Sequence, residues 1–345
     1  MDVSIILVID ATFLIIYSYT KMKLQFYTLL YIDREEKKKM SATGLSKAKE
    51  LKFQDRINIF LSCAALLNKS LVYNHVGELN ILTNDSDFVS SSLANLGCSI
   101  NMIELTFSLQ IPRDINFYSA HYKIDVFKWL GNKPGADMLF LLDNDMVCTG
   151  PIPQVVKNIV AADYTSKKFP MLIYNMPRYY GDRMVTDKQK VDSSQIHGLW
   201  AGGEFIAGTA TAFAELYKEV MKIQDGYWNN YHSLFHQGDE MLTSVALENL
   251  FYRSRFPLLD AHGLGLVKRF WSILTKYPYY KEQYWFAHLP YDKGMISSLK
   301  LANINSNDDL IKAYKAYWRK LLIKRIIRKF FSLFSKMQKG REKGL

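Results

Sequence analysis

The run Met138-Leu139-Phe140-Leu141-Leu142 is followed without a break by Asp143-Asn144-Asp145. Consecutive apolar residues with no alternation describe a strand buried on both faces, the situation of a mostly parallel sheet covered by helices on either side. In such sheets ligands sit beyond the carboxyl ends of the strands, so this run delivers Asp143 and Asp145 to the ligand-binding edge. Two carboxylates one residue apart repel each other unless a cation lies between them. Mg²⁺ or Mn²⁺, held by the carboxylates and by the phosphates of a substrate, resolves the conflict. The competing reading is a turn in which the two side chains cap backbone groups. The turn residues Gly150-Pro151-Ile152-Pro153 close the unit.

The flanks repeat the pattern. Residues 26–32 read as a strand ending at Asp33, and 46–67 as a helix with Leu51, Ile57, Leu61 and Ala65 on one face. Residues 79–83 form a second strand ending at Asn84-Asp85, 100–107 a third, and 114–130 a helix leading into the Met138 strand. Alternating strands and helices predict an α/β fold: a single, mostly parallel mixed sheet flanked by helices. A ligand beyond the first strands would then lie near Tyr31, Asp33 and Asp85. Residues 165–191 are polar and turn-rich around Arg178-Tyr179-Tyr180-Gly181-Asp182-Arg183. They read as a mobile lid, an acceptor-binding loop or a plain surface excursion. Further on, Phe213, Leu216, Tyr217 and Val220 form the apolar stripe of a core helix.

At 345 residues and 49% hydrophobic content, the chain can bury one large core or two fused halves. Its three cysteines, Cys63, Cys98 and Cys148, show neither metal-ligand spacing nor a disulfide framework, which favours a reducing compartment. No P-loop, zinc finger or Gly-x-Gly-x-x-Gly is present. The net charge of +11 suggests nucleic acid until it is located: residues 308–345 hold 12 Lys or Arg against 3 Asp or Glu, leaving +2 for everything else. That remainder is too small for a groove that tracks a phosphate backbone.

Three further groupings bear on chemistry. Ala201-Gly202-Gly203-Glu204-Phe205 pairs glycines that permit close backbone approach with a Glu among apolar neighbours. Glu204 either accepts hydrogen bonds from the hydroxyls of a substrate or forms an ordinary salt bridge. His236-Gln237-Gly238-Asp239-Glu240 opens a helix. Asp239 suits an N-cap, yet adjacent carboxylates in different environments can also divide acid, base or nucleophile work. His288, beside Trp285 and Phe286, is either a satisfied core histidine or a metal ligand, and Lys293 follows it.

Taken in this order, over residues 25–295, these elements resemble the retaining nucleotide-sugar glycosyltransferases of families 8 and 6, with their nucleotide-diphospho-sugar transferase-like fold. The family-6 pattern has an Asp-x-Asp strand, a Gly-Gly segment and a His-Asp-Glu helix. Gly202-Gly203 and Asp239-Glu240 match it, although Gln237 and Gly238 separate His236 from Asp239. In the family-8 pattern a late His joins the metal and a following Lys contacts the diphosphate. The stretch from His288 to Lys293 is similar but lacks the family's His-x-x-Gly-x-x-Lys spacing. The resemblance implies a metal-dependent enzyme, using Mn²⁺ or Mg²⁺, that moves a sugar from a nucleotide-diphosphate sugar, UDP-linked above all, to a glycan or lipid-linked acceptor in polysaccharide biosynthesis, with retention. It implies Asp143, Asp145 and His288 as metal ligands and Asp239 and Glu240 as the catalytic carboxylates. Tyr31, Asp33, Asp85, Lys123, Asn144, Gly203, Glu204 and Lys293 would contact substrate. The alternatives are a nucleotidyltransferase of similar fold and a catalytically inactive, membrane-associated scaffold.

The ends of the chain read differently. Residues 1–21 are apolar but interrupted by Asp10, short for a bilayer span of about 20 residues, and without a signal-peptide cleavage pattern. They are an anchor, an upstream artefact with the start at Met22, or a core strand. Residues 22–300 would form the glycosyltransferase domain. In 308–345, Leu322, Ile326, Phe330, Phe334 and Met337 recur at helical spacing among basic residues. That is a C-terminal amphipathic helix suited to an anionic membrane surface through 310–338, or to packing on the domain; a nucleic-acid arm would leave its apolar face exposed. These features predict a peripheral protein on the cytosolic face of a membrane, with no nucleic-acid partner.

Overall fold

The computed structural model describes residues 23–34, 52–135, 137–162, 170–176, 181–195, 197–254, 256–270 and 284–341. The segment 1–21, the start of the helix expected at 46, and residues 165–169 and 177–180 of the polar region lie outside them. The first half is built from β1 (Leu24–Leu30), α1 (Phe53–Tyr73), β2 (Leu79–Thr83), α2 (Ser86–Asn95), β3 (Asn101–Glu104), α3 (Lys123–Gly131) and β4 (Met138–Leu142). A second set follows: β5 (Met146–Cys148), α4 (Gln154–Ala161), β6 (Met171–Asn175), α5 (Asp182–Val191), β7 (Ala201–Gly208), α6 (Ala210–Asn230) and α7 (Asp239–Tyr252). The chain ends with β8 (Leu258–Asp260), β9 (Val267–Arg269), β10 (Phe286–His288), α8 (Lys293–Ile296) and α9 (Asn307–Arg341).

Seven strands form the central sheet in the order β3-β2-β1-β4-β7-β6-β8. β1 pairs in parallel with β2 and β4, β2 with β3, and β6 with β8, whereas β7 runs antiparallel to β4 and β6. This is the expected mixed, mostly parallel α/β sheet. β4 occupies its centre and every residue of it is buried. Met138, Phe140 and Leu142 face one core, where Phe140 stacks on Phe26 at 4.9 Å, and Leu139 and Leu141 face the other with Phe127 and Phe213. Burial of each such side chain stabilises the fold by about 1.5–3 kcal/mol relative to exposure, which makes the position of Asp143 at the strand's end costly to change. A small sheet, β5-β10-β9, flanks this edge and sets His288 opposite Met146 and beside Arg269.

Several elements depart from the sequence reading. α1 continues to Tyr73 because Ser70 and Leu71 remain fully buried. β3 is only Asn101–Glu104, an edge strand with polar, exposed ends. The helix expected from 114 begins at Lys123, because Phe117 adopts φ +57°, ψ +33° and the chain then makes a tight 3₁₀ turn over Tyr118–Tyr122. The polar region expected as a lid or loop contains a buried strand, β6, and a helix, α5. The Gly-Gly-Glu segment is itself strand β7, buried along its whole length.

The C-terminal region does not separate from the domain at 308. Leu310 and Tyr314 of α9 are buried in the core, the Asn307 side chain donates to Thr149 O at 2.7 Å, and Tyr314 Oη donates to Asp292 Oδ2 at 3.2 Å. From Leu322 onward the helix carries exposed apolar residues. Among the described residues no helix is long and apolar enough to cross a membrane.

Candidate active site

At the carboxyl end of β4 the chain turns through Asp143-Asn144-Asp145 into β5. The Asp143 backbone N–H donates to Glu204 O at 2.9 Å, and the Leu289 N–H donates to Asp145 O at 3.0 Å. The turn is therefore held by β7 on one side and by the end of β10 on the other. His288 on β10 places Nε2 3.3 Å from Asp145 Oδ2 and 3.9 Å from Asp143 Oδ2. One ligand atom from each of the three residues lies within 4.8 Å of the others. Two carboxylate oxygens and an imidazole nitrogen suit Mn²⁺, and Mg²⁺ through the oxygens. His288 Nδ1 lies 3.1 Å from Glu204 Oε1, the carboxylate–histidine contact that orients a metal-binding imidazole.

Behind this triad lies a chain of buried charges. Arg269 on β9 grips Glu204 with Nε, at 2.6 Å, and with Nη2, and its Nη2 also donates to Glu240 Oε1 at 3.0 Å. Glu240 accepts two more hydrogen bonds, from Gly203 N and from Trp200 Nε1, each at 3.1 Å. Lys123 donates to Asp143 Oδ1 and to Gly203 O, both at 2.8 Å, and lies 3.1 Å from Asp239 Oδ2. Lys293 pairs with Asp145 Oδ2. A Cβ at Gly203 would lie 2.9 Å from both Asp239 Oδ2 and Lys123 Nζ, so a side chain there would displace one of them.

Counting the linked groups, five carboxylates (Asp143, Asp145, Glu204, Asp239, Glu240) face three permanent cations (Lys123, Arg269, Lys293), a surplus of two negative charges. That surplus is met in part by His288. Burial alone would disfavour its charged form, but the Asp145 and Glu204 carboxylates outweigh burial and hold its pKa up at about 9. Burial opposes ionisation of Asp145 too, but Lys293 and His288 hold it well below the usual carboxylate range; Arg269 and His288 do the same for Glu204. Arg269 and His236 likewise lower Glu240 against its burial. Asp239 goes the other way: burial, only partly offset by Lys123, pushes its pKa up to about 6. Adjacent carboxylates thus hold protons very differently, the arrangement that separates an acid/base group from a permanent anion.

These groups open on a cavity of about 520 Å³ whose size suits a ligand of several rings. Tyr31, Asp33, Lys123, Asn144, Lys293, Asp143, Asp145, His288, Asp239 and Glu240 all line it. Tyr31 stacks on Tyr122 at 4.0 Å, and Asp33 receives Arg113 Nη1 at 2.9 Å. The remaining expected substrate contacts are placed elsewhere. Asp85 is the N-cap of α2, accepting from Phe88 N, and pairs with Arg34; it does not line the cavity. Glu204 turns inward to Arg269 and His288, behind the Asp143, Asp145 and His288 side chains, and Gly203 contributes backbone only. Asp239 is the first residue of α7, with Gly238 at the N-cap, so its side chain is spared capping.

Sequence reasoning missed Arg269, the residue that joins the two carboxylate groups, and Arg56, a buried cation of α1 on the cavity wall. A lone arginine on a three-residue strand carries no local signal.

Among the solved structures to which the chain is similar are three of sugar-transferring enzymes. Mouse xyloside xylosyltransferase 1 in its apo form matches at 10% identity over 78% of this chain and 97% of that one, with a TM-score of 0.45. Galactosyltransferase LgtC with donor and acceptor sugar analogues matches at 11% identity over 81% and 96%, TM-score 0.44. An active-site mutant of LgtC matches at 12% identity over 77% and 86%, TM-score 0.43. No family model and no curated protein sequence matches the chain.

Proposed function

We propose that this chain is a metal-dependent glycosyltransferase that moves a sugar from a nucleotide-diphosphate donor, a UDP-sugar above all, to a glycan or lipid-linked acceptor. The observation that carries this reading is the convergence of Asp143, Asp145 and His288 with Lys293, Asp239 and Glu240 in the lining of one cavity. Bound Mn²⁺ or Mg²⁺ would supply Lewis-acid stabilisation of the diphosphate. Lys293 neutralises negative charge on the departing diphosphate as the bond between it and the anomeric carbon breaks. An acceptor hydroxyl oxygen bonds to that carbon and its proton passes to Asp239, whose affinity for a proton near neutrality fits it for the exchange. Glu240, immobilised by Arg269, Gly203 and Trp200, stays ionised and orients a hydroxyl or the developing positive charge on the sugar. Retention of configuration is what the resemblance to the retaining families implies, with Glu240 or Asp239 on the sugar's reacting face.

Calorimetry with UDP and Mn²⁺, followed by assay of UDP release from a panel of UDP-sugars, tests the reading. Metal-dependent UDP binding and UDP release support it. Release of pyrophosphate instead would assign a nucleotidyltransferase, and no nucleotide binding with or without metal would assign a scaffold. An NMR spectrum showing a β-linked product from an α-linked donor would overturn retention.

The exposed apolar residues of α9 support a place on the cytosolic face of a membrane, where nucleotide sugars and lipid-carried acceptors meet. Leu322, Ile323, Ile326, Ile327, Phe330 and Phe331 are all exposed. At 100° per residue they fall within an arc of about 180°, with Lys324, Arg328 and Lys329 on the other side of the helix. Such a helix lies in the headgroup region, each basic residue contributing about 1 kcal/mol on an anionic surface. Flotation with phosphatidylserine-containing vesicles should carry the full chain at low salt and release it at high salt. The same chain with Ile326→Glu and Phe330→Glu should stay with the soluble fraction. Equal flotation of both proteins would show that the helix is not the anchor.

A further inference from the structure

Lys293 and Asp145 reach each other from two of the shortest elements in the molecule. Asp145 leads directly into β5, three residues long, and Lys293 opens α8, a single turn of four residues. A helix of that length has no stability of its own in water, so the place of Lys293 depends on what packs against α8. The packing comes from the start of α9. Met295 and Ile296 of α8 are buried in the same core as Leu310 and Tyr314 of α9.

Hydrogen bonds from α9 bracket the Asp145–Lys293 pair. On one side, the Asn307 side chain donates to Thr149 O, four residues beyond Asp145, at 2.7 Å, and to Asn74 Oδ1 at 3.1 Å. Asn74 in turn donates to Cys148 O, at the end of β5, at 3.0 Å. On the other side is Asp292, the residue immediately before Lys293. It holds the N-cap position of α8, where an aspartate ordinarily accepts from the N–H groups of its own helix. Here the side chain makes no such bond. It is buried, and its Oδ2 accepts from the equally buried Tyr314 Oη at 3.2 Å. A carboxylate turned from its own helix to a hydroxyl 22 residues away ties the start of α8 to α9.

We infer that Tyr314 and Asp292 are positioning residues for Lys293, and that the first turns of α9 belong to the donor site as well as to the helix that reaches a membrane. Neither residue lines the cavity. Tyr314 acts through Asp292 on the direction of the Lys293 ammonium, and so on how well a diphosphate is met there. The inference rests on the glycosyltransferase reading only for the diphosphate as the group that Lys293 meets.

The test uses the full chain and Tyr314→Phe, which keeps the ring and removes only the hydroxyl. In calorimetry with Mn²⁺, the variant should bind UDP about fivefold more weakly than the parent chain and UMP within about twofold, as a lost hydrogen bond acting through one lysine implies. In a Lys293→Met background the same change should alter UDP affinity by less than about twofold, because nothing is left for it to act through. The ammonium signals of ¹⁵N-labelled lysine give a readout that needs no donor. The Lys293 signal, assigned by its loss in Lys293→Met, or by Lys293→Arg where the former does not fold, should shift in Tyr314→Phe. The signal of the buried Lys188, which pairs with Glu248, should stay in place. An unmoved Lys293 signal, UDP affinity within about twofold of the parent, or an equal loss for UMP would overturn the positioning role. No UDP binding by the parent chain, alongside a shifted Lys293 signal, would sink the donor reading and leave the positioning role standing.

Discussion

Two clusters of buried charge occupy this molecule, and their difference separates a site from a staple. In the first, around Asp143, Asp145 and Asp239, negative charge exceeds positive and the groups open on a cavity. Asp239 Oδ2 lies close to Lys123 but out of line for a hydrogen bond, a buried oxygen with no hydrogen-bond partner among the described residues. In the second, between α5 and α7, Lys188 pairs with Glu248 and donates to Leu199 O at 2.8 Å, while Glu248 Oε1 accepts from His197 N at 3.0 Å. Asn249 there donates to Asp192 Oδ2 and Glu219 Oε1 and accepts from Gln195. None of these residues lines the large cavity. Burial of charge is common to both. Surplus charge facing an open volume belongs only to the first, and that is what marks chemistry.

The comparison breaks most readily at Asp145. Asp145→Asn should lower donor turnover by about a thousandfold or more, since a metal ligand contributes several kcal/mol to leaving-group stabilisation. Circular dichroism should show the fold intact. Full turnover in that variant would return the first cluster to the structural class.

The second cluster should answer in stability. Glu248→Ala should cost about 3–5 kcal/mol in urea unfolding by stranding Lys188, and Lys188→Met with Glu248→Leu should recover most of it. Activity per folded molecule should stay at the parent level in both proteins. A loss of turnover at unchanged stability would erase the distinction.

A pH series sharpens the contrast. Folding raises the Asp239 pKa from 3.8 to about 6, so its charge costs stability above pH 6 and the cost fades as pH falls towards 4. In EDTA, Asp239→Asn should therefore raise stability at pH 8 by about 2–3 kcal/mol and have little effect at pH 4. Glu204, with a lowered pKa, acts in the opposite sense: it stabilises above the ordinary carboxylate range and that contribution is lost on acidification. Thermal melts across pH of Asp239→Asn and Glu204→Gln should move in opposite directions at pH 8. The smallest effect is expected from Trp200→Phe, which removes one donor from Glu240. Turnover should fall about tenfold, as loss of a hydrogen bond to a charged group implies, with UDP affinity within about twofold.

The sequence was readable where a local signal sufficed. Met138–Leu142 could only be a strand buried on both faces, and it places Asp143 and Asp145 as read. Asp239, Glu240, His288 and Lys293 were found through motif resemblance, and all four line the cavity. Strand β7 was not legible because its three glycines carry little strand preference and its burial depends on β4 and β6. Glu204 was legible as a lone acid among apolar residues, but which way it turns depends on Arg269, 65 residues later. Asp85 showed the reverse failure: an acid at a strand end that only caps the next helix. The break at Phe117 was invisible because nothing local distinguishes it from a helical phenylalanine; its ring stacks on His236, which is distant in sequence.

The shared grip of Arg269 on Glu204 and Glu240 has a consequence for how this chain can change over generations. One guanidinium serves the support of His288 and the alignment of Glu240 at once, so no single substitution at 269 can alter one without disturbing the other. Losing Arg269 takes a cation from two buried carboxylates at once, and losing either carboxylate removes one of the two acids that the arginine joins. The three positions should therefore be inherited as a block, with drift towards another donor or acceptor confined to the cavity rim, where the exposed Phe235 and Tyr291 bear no such obligation.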